Sequence, residues 1–333
     1  MSIPGSYILW LTLSDVKGFP LDSAQLSLNN LAASNTRAAS KQTYYTIRFL
    51  ADRERVQHAF EAYAYFRWID DCLDLELSSR ADRLRFVARQ QSLLDALSDG
   101  HDVGRLTQEE AMLAELIASD SAPESGLRIY LRHMMEVMAF DAQRRGRLIS
   151  EVELAGYTRN LAVAVTENLH YFIGHGQRSP HDSTRYAAVT AAHVAHMLRD
   201  TREDVEAGYF NIPREVMSSA GIGPGDVEHP TYRAWVHERV QLAREQFRVA
   251  RNYLTKVESL RCRFAGLTYM SRFGSILGLI ERDNYFIRRQ YPARKTLNGL
   301  ITFVGSLFDS VINSQTQLAA PLRVPVAEPR KNL

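Results

Sequence analysis

Tyr63-Ala64-Tyr65-Phe66-Arg67-Trp68-Ile69-Asp70-Asp71-Cys72-Leu73-Asp74 lies inside a run, residues 53–77, that holds neither glycine nor proline. Val56, Phe60, Tyr63, Arg67, Asp70 and Asp74 recur there at steps of three or four, with Phe66 beside them. That spacing sets them on one face of a helix. The face is aromatic and aliphatic at its start and acidic at its end. Acids that close an apolar helix face point toward an interior rather than toward water.

A second stretch repeats the arrangement. Asp200-Thr201-Arg202-Glu203-Asp204 follows residues 191–198, which are mostly apolar. Carboxylates four apart on a helix stand on the same side and repel by about 0.2–0.5 kcal/mol on an exposed helix, and by more in a cavity. A single such pair is more often a solvated face. Two of them, each embedded in an apolar helix, call for a cation. Carboxylate oxygens are hard donors that suit Mg²⁺, which keeps water and accepts phosphate oxygens as further ligands. Two facing pairs would therefore hold a diphosphate through bridging metal ions. Arg67 lies one turn before Asp70, and Arg199 and Arg202 flank Asp200. Guanidinium groups bind diphosphate through paired hydrogen bonds, or pair with their own acidic neighbours. Tyr63 shares the Asp70 face, where its ring could steady a cation and its hydroxyl could bond a phosphate.

Working outward, helical spacing predicts helices over residues 109–117, 127–145, 151–173, 184–208, 231–260 and 267–290, with Pro180 and Pro213 in connections. Alternating strand patterns are scarce, and no repeat, P-loop or dinucleotide fingerprint occurs; Gly221-Ile222-Gly223-Pro224-Gly225 has no strand before it. The fold class is all-α, one bundle of eight to ten helices. Residues 1–35 read as a weakly structured leader, 36–315 as a single domain and 316–333 as a disordered tail carrying Pro321, Pro325 and Pro329. Leu297, Leu300, Ile301, Val304, Leu307, Phe308 and Val311 predict one more helix, packed on the core because it lacks a basic polar face.

The 333 residues are 45% hydrophobic and 23% charged with a net charge of +2, ordinary for a globular chain that buries a sizeable core. No concentrated basic face argues for nucleic acid. Two cysteines, Cys72 and Cys262, make no disulfide framework and fit a reducing, cytoplasmic setting, with Cys72 a helix-packing residue. The apolar stretch Tyr7-Ile8-Leu9-Trp10-Leu11-Thr12-Leu13 has no basic residues before it and is too short to span a bilayer.

These motifs resemble the squalene/phytoene synthase family, enzymes that join two prenyl diphosphates head to head. Ser40-Lys41-Gln42-Thr43-Tyr44-Tyr45 resembles the family's Ser-Lys-Ser-Phe-Tyr opening. Residues 62–74 resemble its first aspartate motif. Leu198-Arg199-Asp200-Thr201-Arg202-Glu203-Asp204, followed by Gly208-Tyr209-Phe210-Asn211-Ile212-Pro213, resembles its second, and Asn284-Tyr285 with Arg288 and Arg289 its late segment. The resemblance implies an isoprenoid synthase helical bundle with a central cavity. It implies Mg²⁺ on Asp70, Asp74, Asp200 and Asp204, which with Tyr63 and Arg67 carry catalysis. It assigns substrate contacts to Ser40, Tyr157, Arg199, Tyr285 and Arg289.

Departures from the family pattern sharpen the expectation. One and two turns before the second motif, the family's Asn and Gln are here His196 and His193, both on the Asp200 face and expected to line the cavity. The family's Val-Ala-Gly-Thr-Val-Gly is here Leu161-Ala162-Val163-Ala164-Val165-Thr166, without either glycine. The resemblance implies a prenyltransferase that couples two allylic prenyl diphosphates in an isoprenoid pathway of the carotenoid or hopanoid kind. NADPH is required only for squalene, and a peripheral membrane contact would serve product release. A divergent prenyl-transfer or terpene-forming enzyme on this fold is the alternative; a non-catalytic assembly or binding protein is the second. A di-iron carboxylate bundle would need paired Glu-x-x-His motifs, and His133 and Glu136 stand in the reverse order.

Overall fold

The computed structural model describes residues 23–291, and within them the chain forms eleven α-helices and no strand. They are α1 (Ser23–Ala39), α2 (Lys41–Leu50), α3 (Val56–Asp71), α4 (Arg80–Ser98), α5 (Gln108–Ala118), α6 (Gly126–Arg144), α7 (Glu151–Phe172), α8 (Ala187–Ala207), α9 (Arg214–Ala220), α10 (Pro230–Leu254) and α11 (Leu260–Arg282). The expected helix over residues 297–312, the tail and the first part of the leader lie outside the described residues. Helix already begins at Ser23, inside the stretch read as a weakly structured leader. Its buried Ala32 and Thr36 stand one turn apart and pack α1 on α3.

Local chemistry sets the helix ends. Ser40 caps α2 by accepting from Thr43 N at 3.2 Å. Thr107 with Glu110 and Ser150 with Glu153 form reciprocal capping boxes at the starts of α5 and α7. Gly208, at φ +87°, ends α8 in the left-handed conformation that glycine adopts without strain. The glycine-free run over 53–77 is not one regular helix. A 3₁₀ turn, Arg53–Arg55, precedes α3, and a π-helical turn, Cys72–Glu76, follows it. Such a turn is a common device at functional sites. It carries Asp74 off the α-helical register set by Asp70. Helix α4 gave little sequence signal, because Arg83 and Gln90 interrupt the face it buries with Val87, Leu93 and Leu94. Helix α11 starts and stops earlier than its spacing predicts. Ser259 caps its start, and Asn284 and Tyr285, both at positive φ, break the chain away after it.

Two large cores result. In one, α8 is wrapped by α7, α10 and α11; in the other, α3 packs with α5, and α6 with α4 and α7. At the two positions where the family pattern has glycine, Val163 is half-buried and Thr166 is buried. One polar junction crosses the bundle. The Asp52 carboxylate accepts from Gly174 N at 3.1 Å and His175 N at 2.8 Å and pairs with Arg261. Among the described residues no helix is long and apolar enough to cross a membrane.

Glu61 on α3 is fully buried. Its Oε1 accepts from Gln57 at 2.9 Å, and its Oε2 has no partner. Burial, and then the charge of Glu115, outweigh the Gln57 bond and push its pKa up to about 7 from an ordinary 4.5. A carboxyl raised on folding stabilises the fold below its unfolded pKa, and that stability is lost as pH rises through the folded value. Between pH 4.5 and about 7 the wild type therefore loses stability at this group. Glu61→Gln removes that slope, so the variant gains on wild type by on the order of 1–3 kcal/mol between pH 5 and pH 8. Urea unfolding at the two pH values checks it; parallel stability changes in the two proteins would sink the account.

Candidate functional site

Helices α3, α6, α7 and α8 converge on a cavity of about 260 Å³. Asp70, Asp74, Asp141, Arg144, Tyr157, His193, His196, Asp204 and Tyr209 line it with Leu73 and Met197. Four carboxylates against one guanidinium make it strongly acidic.

On the α3 wall, Arg67 Nη1 donates to Asp70 at 3.0 Å, and its remaining nitrogens hold Asp71. Burial, then the charge of Asp74, push the Asp70 carboxyl up to about 7 despite Arg67. Asp74, displaced by the π turn, accepts from Tyr209 Oη at 2.7 Å. On the α8 wall, Asp200 is gripped by Arg199 and by His196 Nε2 at 2.8 Å. Burial would raise its pKa, but those hydrogen bonds bring it down to about 2. Asp204 accepts from Asn211 Nδ2 at 2.7 Å, and burial, then Asp200, push it up to about 7.

Between the walls stands a group that the spacing of acidic pairs did not reveal. Asp141 accepts from Arg144 Nε at 2.5 Å and from Tyr157 Oη at 3.2 Å. Arg144 also donates to Asn211 at 2.8 Å, and its guanidinium lies 4.7 Å from the Tyr157 ring centre and 4.8 Å from that of Tyr209. Asp141 and Arg144 are three apart at the end of α6, one acid and one base, and a search for acid pairs passes over them. Arg272 was also missed: it reaches from α11 to Gln42 Oε1 at 2.6 Å, close enough to Arg199 that the two like charges, after burial, depress its pKa.

His193 is buried, and neither ring nitrogen has a hydrogen-bond partner. Its ring meets Tyr157 edge-on at 5.2 Å. Burial, then the charges of His196 and Arg144, lower its pKa to about 3, so it stands neutral. A neutral imidazole has one donor and one acceptor to satisfy, and an unsatisfied buried polar group costs about 1–3 kcal/mol.

The structure thus gathers Asp70, Asp74, Asp204, Tyr157, His193 and His196 around one cavity. Asp200 and Arg199 sit immediately behind His196, off the lining. Tyr63 is half-buried on the Arg67 side, hydrogen-bonded to Thr43, with burial raising its pKa. Ser40 is occupied as the α2 cap. Tyr285 and Arg289 do not line the cavity: the Tyr285 ring packs 4.5 Å from His237, and Arg289 is exposed. Arg202 turns away to Glu228 and the Ile287 carbonyl.

Among the described residues no three His, Cys, Asp or Glu side chains form a ready metal cluster. The donor chemistry nonetheless fits Mg²⁺, which needs only one or two carboxylates per ion beside water and phosphate oxygens. The two carboxyls held near neutrality, Asp70 and Asp204, mark where a cation relieves crowding.

Known proteins resemble this chain in sequence and in fold. Presqualene diphosphate synthase of Zymomonas mobilis is 28% identical over 201 residues, 59% of this chain and 64% of that protein, so the match spans just under two thirds of the relative. Phytoene synthase 3, chloroplastic, of Zea mays is 24% identical over 299 residues, 86% of this chain and 67% of that protein. A crystal structure of a dehydrosqualene synthase in complex with ligand superposes with TM-score 0.66 at 14% identity, covering 86% of this chain and 98% of that one. Squalene synthase HpnC from Alicyclobacillus acidocaldarius superposes with TM-score 0.61 at 20% identity, covering 78% and 95%. The all-α bundle is therefore the isoprenoid synthase fold. The match to squalene/phytoene synthase runs over residues 36–297, and the chain belongs to that family.

Proposed function

We propose that this protein couples two allylic prenyl diphosphates head to head, with Mg²⁺-assisted loss of diphosphate. The observation that carries the reading is the pair of acidic walls, Asp70 with Asp74 and Asp204 with Asp200 behind it, facing each other beside Arg144. Asp70, Asp74, Asp200 and Asp204 would hold Mg²⁺, which when bound neutralises the diphosphate and makes it a better leaving group.

The chain's own residues do the rest. Arg67 and Arg199 fix the carboxylates and offer guanidinium protons to phosphate oxygens. Tyr63 stands beside the Arg67 wall, while the rings of Tyr157 and Tyr209 line the cavity and present π faces that favour a carbocation left by the departing diphosphate. Met197 and Leu73 exclude water, which would otherwise trap that cation. The double bond of the second substrate attacks it, and the tertiary cation so formed loses a proton to the departed diphosphate as the cyclopropane ring closes. The cyclopropyl diphosphate would then ionise again and rearrange, the last cation being quenched by loss of a second proton or, for squalene, by hydride from NADPH. His193 serves substrate binding: neutral and unpartnered, it offers one hydrogen bond to a group entering the cavity. His196 fixes Asp200. Ser40, Tyr285 and Arg289 stay in the proposal as outer substrate contacts. NADPH enters only if the product is squalene. A cytoplasmic location with a peripheral membrane contact would suit an apolar product.

One observation favours a second reading on the same fold, a divergent prenyl-transfer or terpene-forming reaction. Histidines 193 and 196 stand where the family pattern has amides. The retained acidic walls argue against a non-catalytic descendant.

Purified protein with Mg²⁺ and farnesyl or geranylgeranyl diphosphate, followed by mass analysis, decides between the two. Head-to-head coupling yields a product with twice the carbon count of the substrate. Alcohols or cyclised products alone would reject it. Asp70→Asn and Asp200→Asn each lower turnover by about 10²-fold or more, and full activity in either removes the metal assignment. His193→Leu raises KM or lowers kcat by about tenfold, while His193→Gln, which keeps a donor and an acceptor, retains most of the rate. Equal kinetics in the two variants would show that the ring only fills space.

A further inference from the structure

A second cavity, about 480 Å³, adjoins the first and shares Asp74 with it. Leu75, Leu77 and Ser78 after the π turn, Arg83 on α4, Arg145 and Gly146 after α6, and Ala207 and Gly208 at the end of α8 complete its lining. It opens at the surface, where Leu75 and Ser78 are exposed.

Its charge is opposite to that of the inner cavity. Arg83 and Arg145 are its two cations, and neither forms an ion pair with any described residue. Asp74 is the one carboxylate in the lining, and its side chain is committed to Tyr209. Arg83 is buried at 5% exposure. Its Nη1 rests on the Leu77 and Ser78 carbonyls at 3.2 and 3.0 Å, and its Nε is buried with no partner. Arg145 rests on the Ala207 carbonyl at 3.2 Å and the Asp74 carbonyl at 3.3 Å. Carbonyl oxygens orient these guanidiniums without neutralising them. A buried charge left unpaired is costly, and a planar fork of donors matches a phosphate.

We propose that this outer cavity is a binding site for the diphosphate anion that leaves the inner cavity, with Arg83 and Arg145 as its ligands. Asp74 is the shared partition, and Tyr209 and the Gly146 N to Gly208 O bond of 2.7 Å fix the two walls on either side of it. Drawing the anion away from an acidic cavity toward two guanidiniums keeps it from recombining with the cation it leaves behind. The inference rests on the proposed prenyl diphosphate chemistry for the identity of the anion; the existence of the site does not depend on that reaction.

Titration calorimetry with inorganic diphosphate, on the full chain in Mg²⁺-free buffer with a chelator, tests it. Wild type binds. Asp200→Asn binds equally, because it alters only the inner site. Arg145→Gln weakens binding about tenfold or more, and Arg145→Lys recovers part of the loss. Arg83→Gln does the same where its melting curve shows a folded protein. No binding by wild type without Mg²⁺, or unchanged binding by a folded Arg145→Gln, overturns the site, whatever products the enzyme makes. In the kinetic arm, Arg145→Gln weakens inhibition by added diphosphate and leaves kcat/KM for prenyl diphosphate unchanged. A fall in kcat/KM with unchanged inhibition would assign the arginines to the incoming head group and overturn the role in release.

Discussion

Like charge held at close quarters is the constraint on which this structure depends. Asp70, Asp74, Asp141 and Asp204 share one small lining with a single guanidinium, Arg144. Left to themselves, helices carrying these acids would splay. They are held by bonds that span long stretches of sequence: Tyr209 to Asp74 across 135 residues, and Arg144 to Asn211 across 67. Apolar burial on the far sides of α3, α6 and α8 supplies the stability that charge crowding removes. Burial first, and the neighbouring aspartate second, raise the Asp70 and Asp204 carboxyls to about 7. Binding sites are commonly built at such stability-costing positions, because the ligand relieves the cost.

Arginine divides this end of the bundle into zones. Asp200, gripped by Arg199 and His196, is ionised far below neutrality, whereas Asp204, one turn on, is not. Two acids of one motif thus differ in protonation because one has a guanidinium and an imidazole against it and the other has an amide. The outer cavity reverses the pattern, with cations and backbone carbonyls where the inner one has acids. A polar molecule meets a field that changes sign over the thickness of Asp74.

Much of this was legible in the residues. The 3.6-residue spacing of α3 and α8 placed the acidic ends of apolar faces, and both motifs border one cavity. What spacing could not carry was geometry made by irregular backbone or by partners distant in sequence. The π turn moved Asp74 relative to Asp70, and no composition signal marks it. Asp141 and Arg144 hid at the C-terminal end of α6 because an acid and a base three apart read as a surface pair. Ser40 was read for its chemistry, and the structure engages it as a cap. Positive φ at Asn284 and Tyr285 turns the chain so that the Tyr285 ring meets His237, outside the lining of the inner cavity. Helix α4 has an apolar stripe of Leu84, Val87, Leu94 and Leu97, but the buried Arg83 and Gln90 interrupt it, so periodicity gave it little voice.

Asp52 bears on the order in which the chain assembles. Its carboxylate is bonded to residues 122, 123 and 209 positions further along the chain. Closing loops of that length carries an entropic cost that local helix contacts do not. The bonds of Asp52 to Gly174 and His175, and the bond from its own N–H to the Phe172 carbonyl, need only the end of α7 in place. A nascent chain emerging from the ribosome can thus tie the start of α3 to α7 first, and the Arg261 ion pair closes the junction only once the beginning of α11 has been synthesised.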